Sequence, residues 1–561
     1  MTEFPSAAFA RELVGALAEL GVRDYVLSPG SRSGPLAHAL AEAARDDRPA
    51  GAPEVNLHVR IDERSAAFLA LGIARGHAAL RDPRPVAVVT TSGTAVGNLL
   101  PAVMEAHHAG VPLLLLTADR PGELHGVGAN QTTDHLGLFG TFVRWAVTSP
   151  APTPQEQPGR AARLAMQAVR SSLGEADRDV AMNVPGPVHV NLEFRAPLGP
   201  DGGSWLHVTL NERERPAGRF RARMQSALAR DASLPVRERG IVIAGDGAGE
   251  VARRVAEVHG WPLLAEPTSG ARTGPNAVPA YLDLLRSERG QKLASAATLV
   301  VVVGRPTLSR EVLAIVGKAS SLHVAAHGAR WKEAPREADK VHRTVPPEWL
   351  TRPADAPALT SEWLDYWTSA GAQLADADTS AWDGAAVARG FIASLGEDGL
   401  GVLGSSGPVR AVDRAAPVWD VGAAPVLIAN RGLSGIDGTV STAAGVALAT
   451  GPVTALMGDV TFLHDVGGLL VGPLEQRPDL RIVVANDGGG TIFASLEHGG
   501  SEDAAAAQVL RRVFTTPHDA DIASLCAGYG VPHVRVTSAA ELTAALEAPI
   551  SGVDVVEAVI A

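Results

Sequence analysis

Short apolar runs alternate along the chain with longer stretches in which apolar positions recur every three to four residues. Asp24 to Leu27, Val55 to Val59, PVAVVTT, VPLLLLTA and PVHVNLEF each read as a strand closed by a polar or glycine-rich turn. Between them, Phe9 to Leu20, SAAFLALGIARGHAAL and LLPAVMEAHHAG carry helical periodicity. Repeated strand–turn–helix units with short connections predict an α/β fold built on doubly wound, mostly parallel sheets. The alternation returns in RGIVIAGDGAGE and TLVVVVGRPTLSR, and again between Leu456 and Phe493. Three domains are therefore expected, at residues 1–195, 196–365 and 366–561. APLGPDGGSWLHVTLNERERPAG, rich in Pro, Gly and charge, reads as the first linker, and Glu333 to Asp383 as the second. Gly245, Gly247 and Gly249 make a partial dinucleotide-type turn, which standing alone reads as a structural Rossmann-like turn rather than an NAD or FAD site.

Composition narrows the class. A chain of 561 residues holds three or four domains with ample cores. A net charge of -12 argues against a general nucleic-acid binder, although an acidic chain can still carry a cationic pocket. The single cysteine, Cys526, excludes an intrachain disulfide and a cysteine-rich zinc site, and reads as a buried structural thiol. Apolar runs such as VPLLLLTA fall well short of the roughly 20 residues needed to span a bilayer, so no integral membrane segment is expected. The N-terminus carries acids and reads as an amphipathic helix, not a signal peptide, which makes the cytoplasm the expected compartment. The scattered histidines show no zinc spacing.

Candidate chemistry concentrates in LMGDVTFLHDVGGLLVGPLEQRPDLRIVVANDGGGTIF. Its two apolar runs end in Gly458-Asp459 and in Asn486-Asp487-Gly488, and both turns should lie at the carboxyl ends of neighbouring parallel strands, where open α/β sheets bind ligands. Oxygen donors of this kind suit Mg²⁺, which takes one or two protein carboxylates and completes its shell from phosphates. The glycines let the backbone approach a diphosphate. The bland alternative is two ordinary strand-end turns. The pattern resembles the thiamine diphosphate (ThDP) fingerprint, with GDV where GDG is usual.

Seven stretches carry a more specific resemblance: SPGSRSGPL, RIDERSAAFLALGIARG, TSGTAVGNLLPAV, LTADRP, GANQTTDH, NRGLSGIDGTVSTAAG and NDGGGTIF. Together, in this order, they resemble the MenD family of the menaquinone pathway, over most of the first and third domains and loosely over the second. The resemblance implies a three-domain ThDP-dependent decarboxylase-like architecture: a pyrimidine-binding domain, a central domain and a diphosphate-binding domain. The implied activity is decarboxylation of 2-oxoglutarate and 1,4-addition of the four-carbon carbanion to isochorismate, with ThDP and Mg²⁺ or Mn²⁺. The implied assembly is a homodimer or homotetramer with sites shared between chains.

The same resemblance assigns residues. Glu63 would contact N1′ of the aminopyrimidine and promote the proton removal that ThDP chemistry requires; the structural alternative is an acid favouring a helix N-terminus. Asp459, Asn486 and the carbonyl of Gly488 carry over as metal ligands. Ser405, Gly458, Ile436, Ile492 and Phe493 carry over as cofactor contacts, although Gly490-Thr491 adds a residue to the family's glycine turn. Ser31, Arg32, Arg120, Ser406, Arg410 and Arg431 match positions that bind substrate, and two-pronged guanidinium–carboxylate pairing favours arginine there over lysine. Asn130 and Gln131 match amides facing the reacting groups. A middle-domain lysine of the family is not evident, and Arg305 or Arg310 in GRPTLSR stands as its replacement. Arg272 and Arg305 are also candidates for a regulatory anion site. The rival readings are another ThDP enzyme, such as an acetolactate synthase or 2-oxoacid decarboxylase, and a non-catalytic ThDP-binding scaffold.

Overall fold

The computed structural model describes residues 4–156, 159–175, 184–205, 233–235, 237–325, 338–352, 362–375, 381–397, 399–499 and 503–560. Its strands form three sheets of parallel strands. In the first, β1 (Asp24–Leu27), β2 (Asn56–Val59), β3 (Val86–Thr90), β4 (Leu113–Asp119), β5 (Ala146–Ser149) and β6 (Val188–Glu193) stand in the order β2-β1-β3-β4-β6-β5. The middle sheet takes β7 (Gly240–Ala244), β8 (Leu263–Ala265), β9 (Leu299–Val303), β10 (Leu322–Ala325) and β11 (Lys340–His342) in the order β11-β10-β9-β7-β8. The third comprises β12 (Leu400–Leu403), β13 (Val426–Ala429), β14 (Val453–Gly458), β15 (Leu480–Asn486), β16 (His533–Val536) and β17 (Val553–Val559). Its order, β13-β12-β14-β15-β17-β16, repeats that of the first sheet strand for strand. The central strands β1, β3, β4, β7 and β9 are buried at every position. That is why they read as continuous apolar runs: a parallel sheet has both faces covered.

Compact packing divides the chain into two units. One comprises Met1–Phe220, Asp437–Pro452 and His464–Leu480, the other Arg221–Ile436, Val453–Leu463 and Arg481–Ala561. In the first unit the helix Glu63–Ala79 packs against the helix Thr439–Thr450, and both are buried along most of their length. Glycine permits the approach. A Cβ on Gly72 would lie 2.1 Å from the Thr442 carbonyl oxygen, and one on Gly445 would lie 2.1 Å from that of Leu69.

The stretch read as a first linker is, up to Trp205, part of this unit, and its remainder lies outside the described residues. Arg11 on the first helix, Pro5–Glu19, is buried and requires a counter-charge. Asp201 provides it at 2.7 Å. Burial opposes ionisation there, yet hydrogen bonds from Arg11, Gly203 and Phe4 hold the Asp201 carboxyl down at about 2. Trp205 packs into the same core and donates from Nε1 to Glu42 at 2.9 Å.

The second linker reading also gives way in part. Glu362–Ala375 is a helix whose Trp363 and Trp367 enter the core of the middle sheet, with Trp363 Nε1 donating to the Gly240 carbonyl at 2.8 Å. The glycine turn after β7 is filled by the chain itself: a Cβ on Gly245 would lie 2.0 Å from the backbone of Arg305 and Pro306. Cys526 is buried, and burial pushes its thiol up to about 11. Among the described residues no helix is long and apolar enough to cross a membrane.

The second unit contains a buried polar cluster. Asp413, on the helix Gly407–Ala415, accepts from Arg272 at 2.9 Å and from the Tyr281 hydroxyl at 2.9 Å. Arg272 is thereby tied to a carboxylate. Nearby, Glu266 follows β8 and is 1% exposed. Burial, with the Asp413 carboxyl adding to it, pushes the Glu266 carboxyl up to about 8, against the pull of the Leu308 and Thr307 N–H groups and of Arg431.

Two outcomes are expected. Gly72→Ala forces two helix backbones apart and lowers stability by about 1–3 kcal/mol, read as a lower apparent melting temperature. For Glu266, the unfolded chain ionises above its ordinary value of 4.5 while the folded chain keeps its proton to about 8. The carboxyl's contribution to stability is therefore undiminished below that window, falls through it as pH rises, and levels above it. Melting temperatures of Glu266→Gln and wild type should diverge in the variant's favour between about pH 5 and about pH 8.5, because glutamine has no proton to lose.

Candidate active site

Loops at the carboxyl edge of the first sheet carry Ser31, Arg32, Glu63, Arg120, Asn130 and Gln131. Glu63 is the first residue of its helix, but Asp62 is the cap, accepting from Arg64 N at 2.8 Å. The Glu63 carboxylate is thus released from capping, and its Oε2 accepts instead from Asn98 Nδ2 at 3.2 Å. Arg120 is buried and donates to Ser92 Oγ, to Asn130 Oδ1 at 3.0 Å and to the Gln131 carbonyl at 3.4 Å. Arg32 donates to the Phe194 carbonyl at 2.9 Å. Burial, and then the positive charge of Arg120, lower the Arg32 guanidinium from its ordinary value. Ser31 is exposed in the turn between them, its carbonyl accepting from Gly34 N.

Gln131 has φ +55°, a left-handed conformation that a side chain seldom adopts, and it lies against Gly93. His135 fixes this corner. Its Nε2 accepts from Gly93 N at 2.8 Å, so Nδ1 carries the hydrogen and donates to Asp119 Oδ2 at 2.8 Å. Asp119 also accepts from Arg120 N and from Asn191 Nδ2. The loop after β3, the loop after β4 and the amide pair are thereby bound together.

In the third sheet, β14 and β15 are neighbours, and their ends meet at one glycine turn. Asp459 Oδ2 accepts from Gly489 N at 2.8 Å, and Asn486 Oδ1 accepts from Gly488 N at 3.1 Å. Asn486 is oriented by its Nδ2, which donates to Glu557 Oε1 at 2.6 Å. Gly488 has φ +75° with open space where a Cβ would point, and a Cβ on Gly489 would lie 2.5 Å from the Thr515 carbonyl oxygen. His518 Nδ1 accepts from Ala520 N, which leaves Nε2 to donate to Asp459 Oδ2 at 3.0 Å. The Asp459 carboxylate and the Asn486 amide oxygen, both at this open glycine turn, are donors of the kind that fits a hard divalent cation with phosphate oxygens. Ser405, after β12 on the other side of Gly458, has a buried hydroxyl without a hydrogen-bond partner among the described residues. An orphaned donor at this strand edge fits a polar ligand group.

Two more arginines lie in the same unit. Arg410 donates to the Ser406 carbonyl at 2.8 Å, and Ser406 holds φ +72° at the start of its helix. Burial, and then the charge of Arg431, lower the Arg410 guanidinium. Arg431, after β13, is buried and donates from Nε to Thr307 Oγ1 at 3.2 Å. Of the two middle-domain arginines, Arg305 reaches this corner, donating to the Gly432 carbonyl at 3.0 Å, whereas Arg310 makes an exposed ion pair with Glu497. Ile436, Ile492 and Phe493 are half-buried, with the Phe493 ring tilted against Phe514 at 5.6 Å.

Sequence reasoning did not single out Asn98, Thr307, Glu266 or His518, and left His135 among the scattered histidines without zinc spacing. Each acts through a partner distant in sequence, so no local spacing marks it. A partial signal did exist for Asp62, since Asp directly before a helical run is a capping residue.

Residues 8–138 match the family described as thiamine pyrophosphate enzyme, N-terminal TPP binding domain, and residues 414–558 match its C-terminal TPP binding domain. The chain is 46% identical to 2-succinyl-5-enolpyruvyl-6-hydroxy-3-cyclohexene-1-carboxylate synthase of Paenarthrobacter aurescens (strain TC1), over 98% of this chain and 93% of that protein. It is 47% identical to the synthase of the same name from Arthrobacter sp. (strain FB24), over 98% of this chain and 88% of that one. The crystal structure of benzoylformate decarboxylase from Polynucleobacter necessarius shares the fold, with a TM-score of 0.64, 17% identity and 98% of each chain covered. The chain belongs to the thiamine diphosphate enzymes and, within them, to the 2-succinyl-5-enolpyruvyl-6-hydroxy-3-cyclohexene-1-carboxylate synthases.

Proposed function

We propose that the chain decarboxylates 2-oxoglutarate and adds the four-carbon fragment to isochorismate in a 1,4 sense, releasing CO₂, in the cytoplasm and with ThDP and Mg²⁺ or Mn²⁺. The observation that carries this reading is the treatment of four arginines. Arg32 lies in the field of Arg120, and Arg410 in that of Arg431. Neutral oxygens hold them: the Phe194 and Ser406 carbonyls, the Ser92 and Thr307 hydroxyls, and the Asn130 amide. Guanidinium groups brought into one another's field favour an incoming polyanion, and both proposed substrates carry more than one carboxylate. A monoanionic acceptor, such as the pyruvate of acetolactate synthesis, would use only part of this set.

Bound ThDP supplies the electron sink for decarboxylation. Glu63, oriented by Asn98, holds and exchanges a proton at Oε2 with the aminopyrimidine ring. Asp459, Asn486 and the Gly488 carbonyl would hold the metal on the diphosphate. Ser405 and Gly458 line the same strand edge, and Ile436, Ile492 and Phe493 supply apolar surface to the cofactor. Asn130 and Gln131 face the reacting groups, with Ser31, Arg32, Arg120, Ser406, Arg410 and Arg431 binding substrate carboxylates. The proposed assembly is a homodimer or homotetramer with sites shared between chains.

Two measurements check this. With ThDP, Mg²⁺, 2-oxoglutarate and isochorismate, wild type should form product, and Glu63→Gln should be slower by roughly 10²–10⁴-fold. Decarboxylation without uptake of isochorismate would leave the cofactor assignment standing and the acceptor wrong. Because His518 orients Asp459, His518→Ala should weaken Mg²⁺ binding in the presence of ThDP by about 10–100-fold, followed by tryptophan fluorescence. Unchanged affinity would separate His518 from the metal site.

A further inference from the structure

Glu266 belongs to none of the groups assigned above. It stands at the carboxyl end of β8, where its Oε1 accepts two backbone N–H groups, from Thr307 at 2.8 Å and from Leu308 at 2.9 Å. Its Oε2 is buried and has no hydrogen-bond partner among the described residues. The loop that Glu266 holds grips the arginine corner twice. Thr307 Oγ1 accepts from Arg431 Nε at 3.2 Å and from its terminal nitrogen, and Arg305 donates to the carbonyl of Gly432, next to Arg431.

We propose that Glu266 is a positioning residue for Arg431: it anchors the Arg305–Leu308 loop, whose Thr307 hydroxyl sets the guanidinium, and so tunes the enzyme for a 2-oxo acid bearing a second carboxylate. This rests on the reading of Arg431 as a substrate-binding group. A guanidinium on a long flexible chain makes a two-pronged pair only when its plane is fixed, and a hydroxyl helps to fix it only if its own backbone is fixed.

The chemistry of the anchor matters as much as its place. The groups around Glu266 are Asp413, Arg431, Arg410, Arg272 and Tyr281. An ionised carboxylate among them would draw the guanidinium groups to itself and repel the substrate. Held neutral by burial, Glu266 keeps Oε1 as an acceptor for both N–H groups and adds no negative charge beside the arginines. Glutamine retains the same acceptor geometry; alanine does not.

The test is steady-state kinetics of the holoenzyme with 2-oxoglutarate as the varied substrate and isochorismate saturating. Glu266→Ala and Thr307→Val should each raise KM for 2-oxoglutarate about tenfold with kcat and ThDP affinity little changed, the scale of one lost hydrogen bond to a charged group. Glu266→Gln should restore KM to within about threefold of wild type. A KM that stays at the wild-type value in Thr307→Val, which leaves Glu266 in place should the alanine variant not fold, would overturn the proposal. So would a Glu266→Gln variant as impaired as Glu266→Ala. Wild type with no turnover of 2-oxoglutarate would instead sink the functional reading, and this role with it.

Discussion

Two parallel strands cannot be joined by a tight turn, because the chain must travel back along the sheet before the second strand begins. Every strand's exit loop therefore opens on one edge, and every return opens on the other. This constraint collects the chemistry. Ser31 and Arg32 follow β1, Glu63 follows β2, Ser92 follows β3 and Arg120 follows β4, so residues far apart in sequence share one edge of the first sheet. In the third sheet the same rule brings Asp459, after β14, to the glycine turn after β15. The strands themselves contribute burial and rigidity; specificity belongs to the loops that follow them.

Electrostatics then distinguishes scaffold from site. Where a charge serves the fold, its partner is opposite and close, as in Arg11 with Asp201 and Arg272 with Asp413. Arg32, Arg120 and Arg410 are held by carbonyls, hydroxyls or an amide, and like charges sit near one another. A buried guanidinium satisfied by neutral oxygens keeps its charge for a ligand, at a cost in stability that the rest of the core must offset. The left-handed backbone at Gln131 and Ser406 is a second mark of the same kind, since strain persists where surrounding contacts over-determine it.

The alternation of apolar runs and helical periods was legible because each signal is local: β1 spans Asp24–Leu27, and β14 and β15 fall within a residue of the runs that announce them. The shared sheet edge of Asp459 and Asn486 was legible for the same reason, since a polar residue directly after an apolar strand has only one edge on which to emerge. Trp363 and Trp367 were hidden by composition, because a stretch rich in Pro and Asp reads as a linker even where two tryptophans one helical turn apart carry it into a core. Thr307 and Glu266 were hidden more deeply. Their roles exist only through Arg431, more than a hundred residues away, and nothing in a threonine or a glutamate beside a strand announces such a partner.

The first and third sheets share a strand order but not their polar groups. In the first, guanidiniums follow the central strands, Arg32 after β1 and Arg120 after β4, while the carboxylate Glu63 follows the edge strand β2. In the third, Asp459 and Asn486 follow the central strands β14 and β15, while Arg410 follows the central strand β12 and Arg431 the edge strand β13. One strand order thus presents two different sets of polar groups at its carboxyl edge. Backbone topology places the crevice in both and is indifferent to charge. Side chains alone decide the polarity, so one arrangement of strands can set Arg32 and Arg120 at the edge of one sheet and Asp459 beside Asn486 at the edge of the other.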